Sequence, residues 1–238
     1  MKNKFFIVDF PKYSIISFIF LNILAMIFYP GGNINDSSQV GYSFQYNFFS
    51  DLGTTVSYSN ESNLISCILF NSSLCIIGVC FSLLFFKLKD AFKDFKLLSI
   101  LAAILGVGAG LSYIGVAFTP ADLLLDSAGD PWLHVIFAHW AFRLLFAVSI
   151  LYAILIIKTE NFENKYAYSF IAFGIMVLFY VFYSEVFLNN PREFPDDLIK
   201  HVIAQKAIAF WIMFAIYIYS IGLGKYFDKH IEIIESDV

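Results

Sequence analysis

The chain has 238 residues, of which 59% are hydrophobic and 14% charged, with 29 Phe and a formal net charge of -4. Soluble domains are nearer one quarter charged, so the composition excludes an ordinary water-exposed surface and points to a membrane protein. The acidic balance gives no support for nucleic-acid binding. Cys67, Cys75 and Cys80 all sit in one apolar stretch without CxxC spacing, which reads as packing and not as redox or metal chemistry.

Six apolar stretches alternate with polar connectors, and spans are expected at about 13–29, 64–86, 97–118, 133–157, 167–188 and 201–223. Lys2, Lys4 and Lys12 precede the first stretch. Lys87, Lys89, Lys93 and Lys96 follow the second, Lys158 and Lys165 the fourth, and Lys225 and Lys229 the sixth. The connectors after the first and third hold no Lys or Arg, and the one after the fifth has only Arg192 and Lys200 beside Glu193, Asp196 and Asp197. This positive-inside alternation predicts an all-α fold: one bundle of six transmembrane helices in the cell membrane, both termini cytoplasmic. The first stretch ends in Tyr29-Pro30-Gly31 and not in a small-residue cleavage site, so it reads as a retained anchor.

The outer connector of residues 30–63 is expected to be partly ordered. Gly31 to Gln39 is rich in Gly, Asn and Ser and reads as mobile. Tyr42, Phe44, Tyr46, Phe48, Phe49 and Leu52 load the next part with bulky side chains, so Tyr42–Gly53 is expected to lie over the outer end of the bundle. There Asp51 would cap a helix start or pair with a cation from the spans. In the third stretch, Gly106 and Gly110 form a small-xxx-small step that favours close helix packing.

Ionisable groups inside spans are costly and usually face a bundle interior or a wet cavity. Here His134, His139 and Arg143 lie on the fourth span, Glu185 ends the fifth, and His201, Gln205 and Lys206 begin the sixth. Asp51 and Asp122 flank them in the outer connectors. At about 1.5 Å rise per residue these groups all fall in the outer half of the bilayer, which argues for one polar site opening outward. His139 and Arg143 share a helix face, as do His201 and Gln205. Glu185 is the natural counter-charge for Lys206 or Arg143.

Four readings of this cluster stand side by side. It is structural glue, or it binds a lipid-like or small anionic ligand through Asp51, Asp122, His139, Arg143, Glu185, His201, Gln205 and Lys206. It is a zinc site of a membrane lipid hydrolase, with His134, His139, His201 and Asp51 as ligands. It holds a haem between His139 and His201. The expectation adopted is the non-enzymatic one, binding or moving an anionic or lipid-like ligand without a cofactor. Membrane lipids are then the partners, and other membrane proteins would be partners were the chain an accessory subunit.

The run Asn47-Phe48-Phe49-Ser50-Asp51-Leu52-Gly53, then Phe118-Thr119-Pro120-Ala121-Asp122, then His134 with Phe137-Ala138, resembles a prokaryotic family of uncharacterised six-span membrane proteins. That family is loosely related to the damage-regulated autophagy modulator proteins. The resemblance covers roughly residues 10–220 and implies a six-helix bundle with Ser50, Asp51, Asp122 and His134 as matching positions. It implies no settled activity. The chain departs from the family pattern in the Asp122–Pro131 insertion and its Phe content. A weaker echo is the membrane hydrolase superfamily of alkaline ceramidases and progestin/adiponectin-type receptors, which has seven spans and closer His spacing.

Overall fold

A computed structural model describes residues 4–127, 129, 131–160 and 162–236, the side chains of Glu185 and of 229–236 excepted. About 75% of the chain is helical. Six helices carry the fold: α1 (Phe10–Phe28), α2 (Leu64–Leu88), α3 (Lys96–Phe118), α4 (Trp132–Lys158), α5 (Lys165–Phe182) and α6 (Leu198–Ser236). All six segments are long and apolar enough to cross a membrane, and no more than 56% of the most apolar window of any is buried within the protein. The remaining apolar surface, such as Ile16, Ile19, Phe20, Ile23 and Ile27 on α1, is exposed and suits lipid. The chain is therefore a multi-pass, six-helix membrane protein. Each helix packs against its neighbour in sequence, and α6 returns to α1, so the bundle closes on itself. An even number of crossings leaves both termini on one side, and the outer end is the one away from the Lys-rich connectors.

Helical backbone extends beyond several of the expected spans. A π-helical turn, Phe5–Asp9, leads into α1, and the Phe10 N–H bonds the Phe5 carbonyl, one residue further back than in an α-helix. Pro11 has no N–H to offer the Ile7 carbonyl, which fits the loosened register ahead of it. The α6 helix, preceded by a 3-10 turn at Pro195–Asp197, likewise starts before residue 201 and continues well past 223. Hydropathy marks where hydrocarbon begins. Backbone hydrogen bonding continues past that point as long as nothing breaks it.

The tightest helix contact is between α2 and α3. A Cβ on Gly110 would sit 2.5 Å from the Gly78 carbonyl oxygen and 2.3 Å from Ser82 Oγ, so the two backbones touch. One step along α3, Gly106 faces the Phe85 ring with no room for a methyl. Toward the inner end, Phe85, Phe92, Tyr152, Phe170 and Tyr219 are all fully buried. Their rings are in mutual contact, for example Phe170 on Tyr219 at 4.4 Å and Phe85 on Tyr152 at 5.5 Å between centroids. Phe162 of the inner connector stacks on Phe92 and Tyr226 and extends the cluster to the membrane surface.

Residues 31–39, expected to be mobile, instead form most of an antiparallel hairpin of β1 (Gly31–Asn33) and β2 (Asp36–Val40). Asn33 makes the turn, its side-chain oxygen accepting the N–H groups of Asn35 at 2.9 Å and Asp36 at 3.0 Å. This Asx turn is local polar chemistry that low hydrophobicity conceals. Gly32, at φ 78°, lies so close to the 57–60 turn that a Cβ there would be 2.5 Å from Ser59 N. That contact anchors the hairpin to the rest of the connector.

Gly110→Ala is expected to cost about 1–3 kcal/mol, because the Gly78 carbonyl cannot yield as a side chain would. Gly108→Ala, which meets only Leu144 Cδ1 at 3.2 Å, should be close to neutral. Thermal unfolding of both variants in detergent checks the pair.

Candidate functional site

The outer connector folds over the bundle, and where its backbone is buried it must find hydrogen-bond partners within the protein. Asn47, wholly buried, fills its side-chain capacity. Its amide donates to the Gly32 carbonyl at 2.8 Å and to Asp51 Oδ2 at 3.1 Å, and its oxygen accepts from Ser43 N at 2.9 Å and Gln39 Nε2 at 2.7 Å. Asp51, in the 3-10 turn Ser50–Gly53, also accepts the Phe48 N–H at 2.9 Å through Oδ2. Asn63, at the start of α2, donates to the Thr54 carbonyl at 2.8 Å and the Leu52 carbonyl at 3.2 Å. Asp122 Oδ2 accepts from Thr55 N at 2.8 Å, Thr55 Oγ1 at 2.5 Å and Val56 N at 2.9 Å, whereas its Oδ1 is buried without a partner.

The sixth helix clamps the same segment. Gln205 Oε1 accepts the Phe49 N–H at 2.8 Å. Lys206, only 5% exposed, donates from Nζ to the Asn47 carbonyl at 2.5 Å. Its ammonium lies 4.9 Å from the Phe44 ring centroid, 5.2 Å from Phe49 and 5.5 Å from Tyr42. Cation–π attraction and one charge-assisted hydrogen bond thus hold a cation that burial would otherwise make expensive. Asp51 is the carboxylate whose field reaches Lys206. The expected pairing with Glu185 falls on a side chain outside the described residues.

Under this cover lies a cavity of about 280 Å³. Ser50, Asp51 and Tyr58 line it from the connector, His134, His139 and Arg143 from α4, and Arg192 and Gln205 from the α5–α6 side. Below it is a chamber of about 90 Å³ whose deeper wall is apolar, including Phe18, Phe70, Leu74 and Met213. Ser50, His134 and Gln205 belong to both. A third, largely apolar groove of about 210 Å³, with Asn22 and Lys206 among its lining residues, runs between α1 and α6 and shares Phe18, Phe49, Ala209 and Met213 with the chamber.

Of the residues expected at the site, the cavity collects Asp51, His134, His139, Arg143 and Gln205. Asp122, Lys206 and His201 are employed in holding connectors, and the Glu185 side chain lies outside the described residues. Asp122 fixes Thr55 and Val56, Lys206 fixes Asn47, and His201 Nε2 bonds the Asn189 carbonyl at 2.9 Å. Among the described residues, no three His, Cys, Asp or Glu side chains form a metal-ligating group. The four zinc ligands of the hydrolase reading are split, with His201 on Asn189 and the other three around the cavity. Tyr58 and Arg192, which sequence reasoning missed, meet at the cavity rim, where they are hydrogen-bonded to each other. Burial and the nearby Asp51 push the Tyr58 phenol upward, and Arg192 opposes this.

Burial pushes Asp51 from the ordinary 3.8 up to about 7, against the lowering effects of the Asn47 and Phe48 donors and of Lys206. The folded protein therefore divides this carboxyl between its neutral and ionised forms near pH 7. No protein-family model, no curated protein and no solved structure matches the chain.

A group whose folded value lies above its unfolded one contributes stability that is whole below the unfolded value and is lost as pH rises through the folded one. Melting in detergent should accordingly decline between about pH 4 and pH 7, and the decline should be shallower in Asp51→Asn. Equal slopes would show that another group controls the profile. Lys206→Met keeps the apolar stem and removes the ammonium. It should cost about 1–3 kcal/mol and raise amide exchange across residues 42–53. Unchanged exchange there would mean the clamp is energetically idle.

Proposed function

We propose that the outer cavity binds an amphiphile with an anionic headgroup, taken from the outer leaflet of the cell membrane. The observation that carries this reading is that a polar cavity and an apolar chamber abut, with Ser50, His134 and Gln205 on the wall of both. Arg143 and Arg192 supply cations at the headgroup level, and a guanidinium presents a planar fork suited to phosphate or carboxylate. A volume of about 280 Å³ is at the lower end of small-ligand sites and suits a headgroup better than a whole lipid. The first part of an acyl chain would then occupy the smaller chamber. Asp51 on the same wall is compatible with an anion in its neutral form, in which it can donate a hydrogen bond.

The likeness to the prokaryotic six-span family is part of this proposal. Of its matching positions, Ser50, Asp51 and His134 border the chamber, while Asp122 braces the connector next to it.

Lipid that survives purification should be anionic when identified by mass spectrometry. Native mass spectrometry with phosphatidylglycerol against phosphatidylcholine should show preference for the former. Arg143→Gln and Arg192→Gln should each weaken phosphatidylglycerol binding about 10-fold, the loss of roughly one charge-assisted contact. Binding should be tighter at pH 6 than at pH 8, because ionised Asp51 adds a negative charge to the wall. Equal affinity for the two lipids would overturn the reading.

A further inference from the structure

We infer that Ser50 is a nucleophile and His134 its general base, so that the chamber cleaves an acyl ester of the amphiphile it holds. This rests on the binding reading and names a reaction for the same site.

The first observation concerns the serine. Most buried serines of this chain spend their hydroxyl on a backbone carbonyl, as Ser66 does on Leu52 at 3.0 Å and Ser73 on Phe70 at 2.7 Å. Ser50 Oγ has no hydrogen-bond partner among the described residues, His134 included, so the pair would close only with substrate bound. The hydroxyl sits on the wall common to the polar and apolar chambers. That is the level at which the bond joining a polar head to an apolar chain would lie. Its place at the start of a tight turn, with Asp51, Leu52 and Gly53 buried behind it, keeps the hydroxyl at the cavity edge.

The second observation concerns the base. His134 borders both chambers as well, and its Nδ1 lies 2.7 Å from the Thr119 carbonyl oxygen. A carbonyl can only accept, so Nδ1 carries the proton and Nε2 holds a lone pair on the opposite edge of the ring. A backbone carbonyl fixing the tautomer of a histidine is what a general base needs. The third observation is Gln205. Its Oε1 is occupied by the Phe49 N–H, which leaves the Nε2 amide as a donor on the same wall. An amide donor of this kind suits the oxyanion of a tetrahedral intermediate.

The steps balance without a metal or redox partner. Ser50 passes its proton to His134 Nε2 as Oγ adds to the ester carbonyl carbon, and the carbonyl oxygen becomes an oxyanion facing the Gln205 amide. Collapse breaks the ester C–O bond, the departing alkoxide takes the proton from His134, and the acyl group remains on Ser50. Water then adds to that acyl carbon with His134 accepting its proton. The second collapse returns the proton to Ser50 Oγ and releases a carboxylic acid. The net reaction is ester plus water to acid plus alcohol.

A long-chain alkyl fluorophosphonate, added to the full-length protein in detergent, tests this by intact and peptide mass spectrometry. One adduct located on Ser50 is expected, absent in Ser50→Ala and formed about 100-fold more slowly in His134→Gln, the usual scale for loss of a general base. No adduct on the unmodified protein, an adduct elsewhere, or an unchanged rate in a His134→Gln protein that still melts cooperatively would overturn the assignment. Lipid retained by the same wild-type sample separates the two ideas. Anionic lipid without an adduct leaves a binding protein, and absence of anionic lipid removes the binding reading itself.

Discussion

The outer half of this protein depends on one constraint: a connector of more than thirty residues lies over a helix bundle, and its buried polar groups must find partners within the protein. The buried amide of Asn47 meets most of that demand, joining the hairpin, the 3-10 turn and the chain before it through four hydrogen bonds. Lys206 then ties the Asn47 carbonyl to α6, Gln205 does the same for Phe49, and Asp122 secures Thr55 and Val56 from the end of α3. The cover is held from α6 and from the end of α3, and the wall that Ser50 and Asp51 present to the cavity is a by-product of that fastening.

The two ends of the bundle solve opposite problems. The inner end is filled with interlocked rings, with Tyr152 touching Phe85, Phe92, Phe170 and Tyr219. Such packing tolerates neither voids nor extra volume. The outer end leaves space and lines it with charge. A rigid floor beneath a polar chamber keeps the α4 side chains His134, His139 and Arg143 at fixed heights, which a loosely packed bundle of the same topology would not do.

Charge alternation and hydropathy disclosed the six crossings and the concentration of polar groups near the outer surface, because both follow from single-residue transfer energies. The pairing of His139 with Arg143 on one wall was also legible, since four residues nearly complete a helical turn. Helix rotation was not. Gln205 and Lys206 are adjacent in sequence and lie at one depth, yet about 100° of turn sends the first to the cavity and the second into an aromatic box beside α1. His201, expected at the site with Gln205, is captured by the Asn189 carbonyl of its own connector. Arg192 looked like a loop charge because nothing in the sequence says that the connector between α5 and α6 bends over the rim. The Asn33 turn escaped notice for the related reason that hydrogen bonding between side chain and backbone leaves no trace in hydropathy.

The largely apolar groove between α1 and α6 shares Phe18, Phe49, Ala209 and Met213 with the small chamber, and its exposed Ile19, Ile23 and Phe210 suit lipid. If those shared side chains part, the proposed site opens sideways onto the lipid phase. A bilayer presents its own molecules at a density that no aqueous solute approaches, so a lipid site opened in that way would be occupied even with a weak grip. Selectivity under those conditions would be a contest among neighbouring lipids, decided by how each headgroup suits the arginines and the carboxyl of the cavity and not by tightness as such.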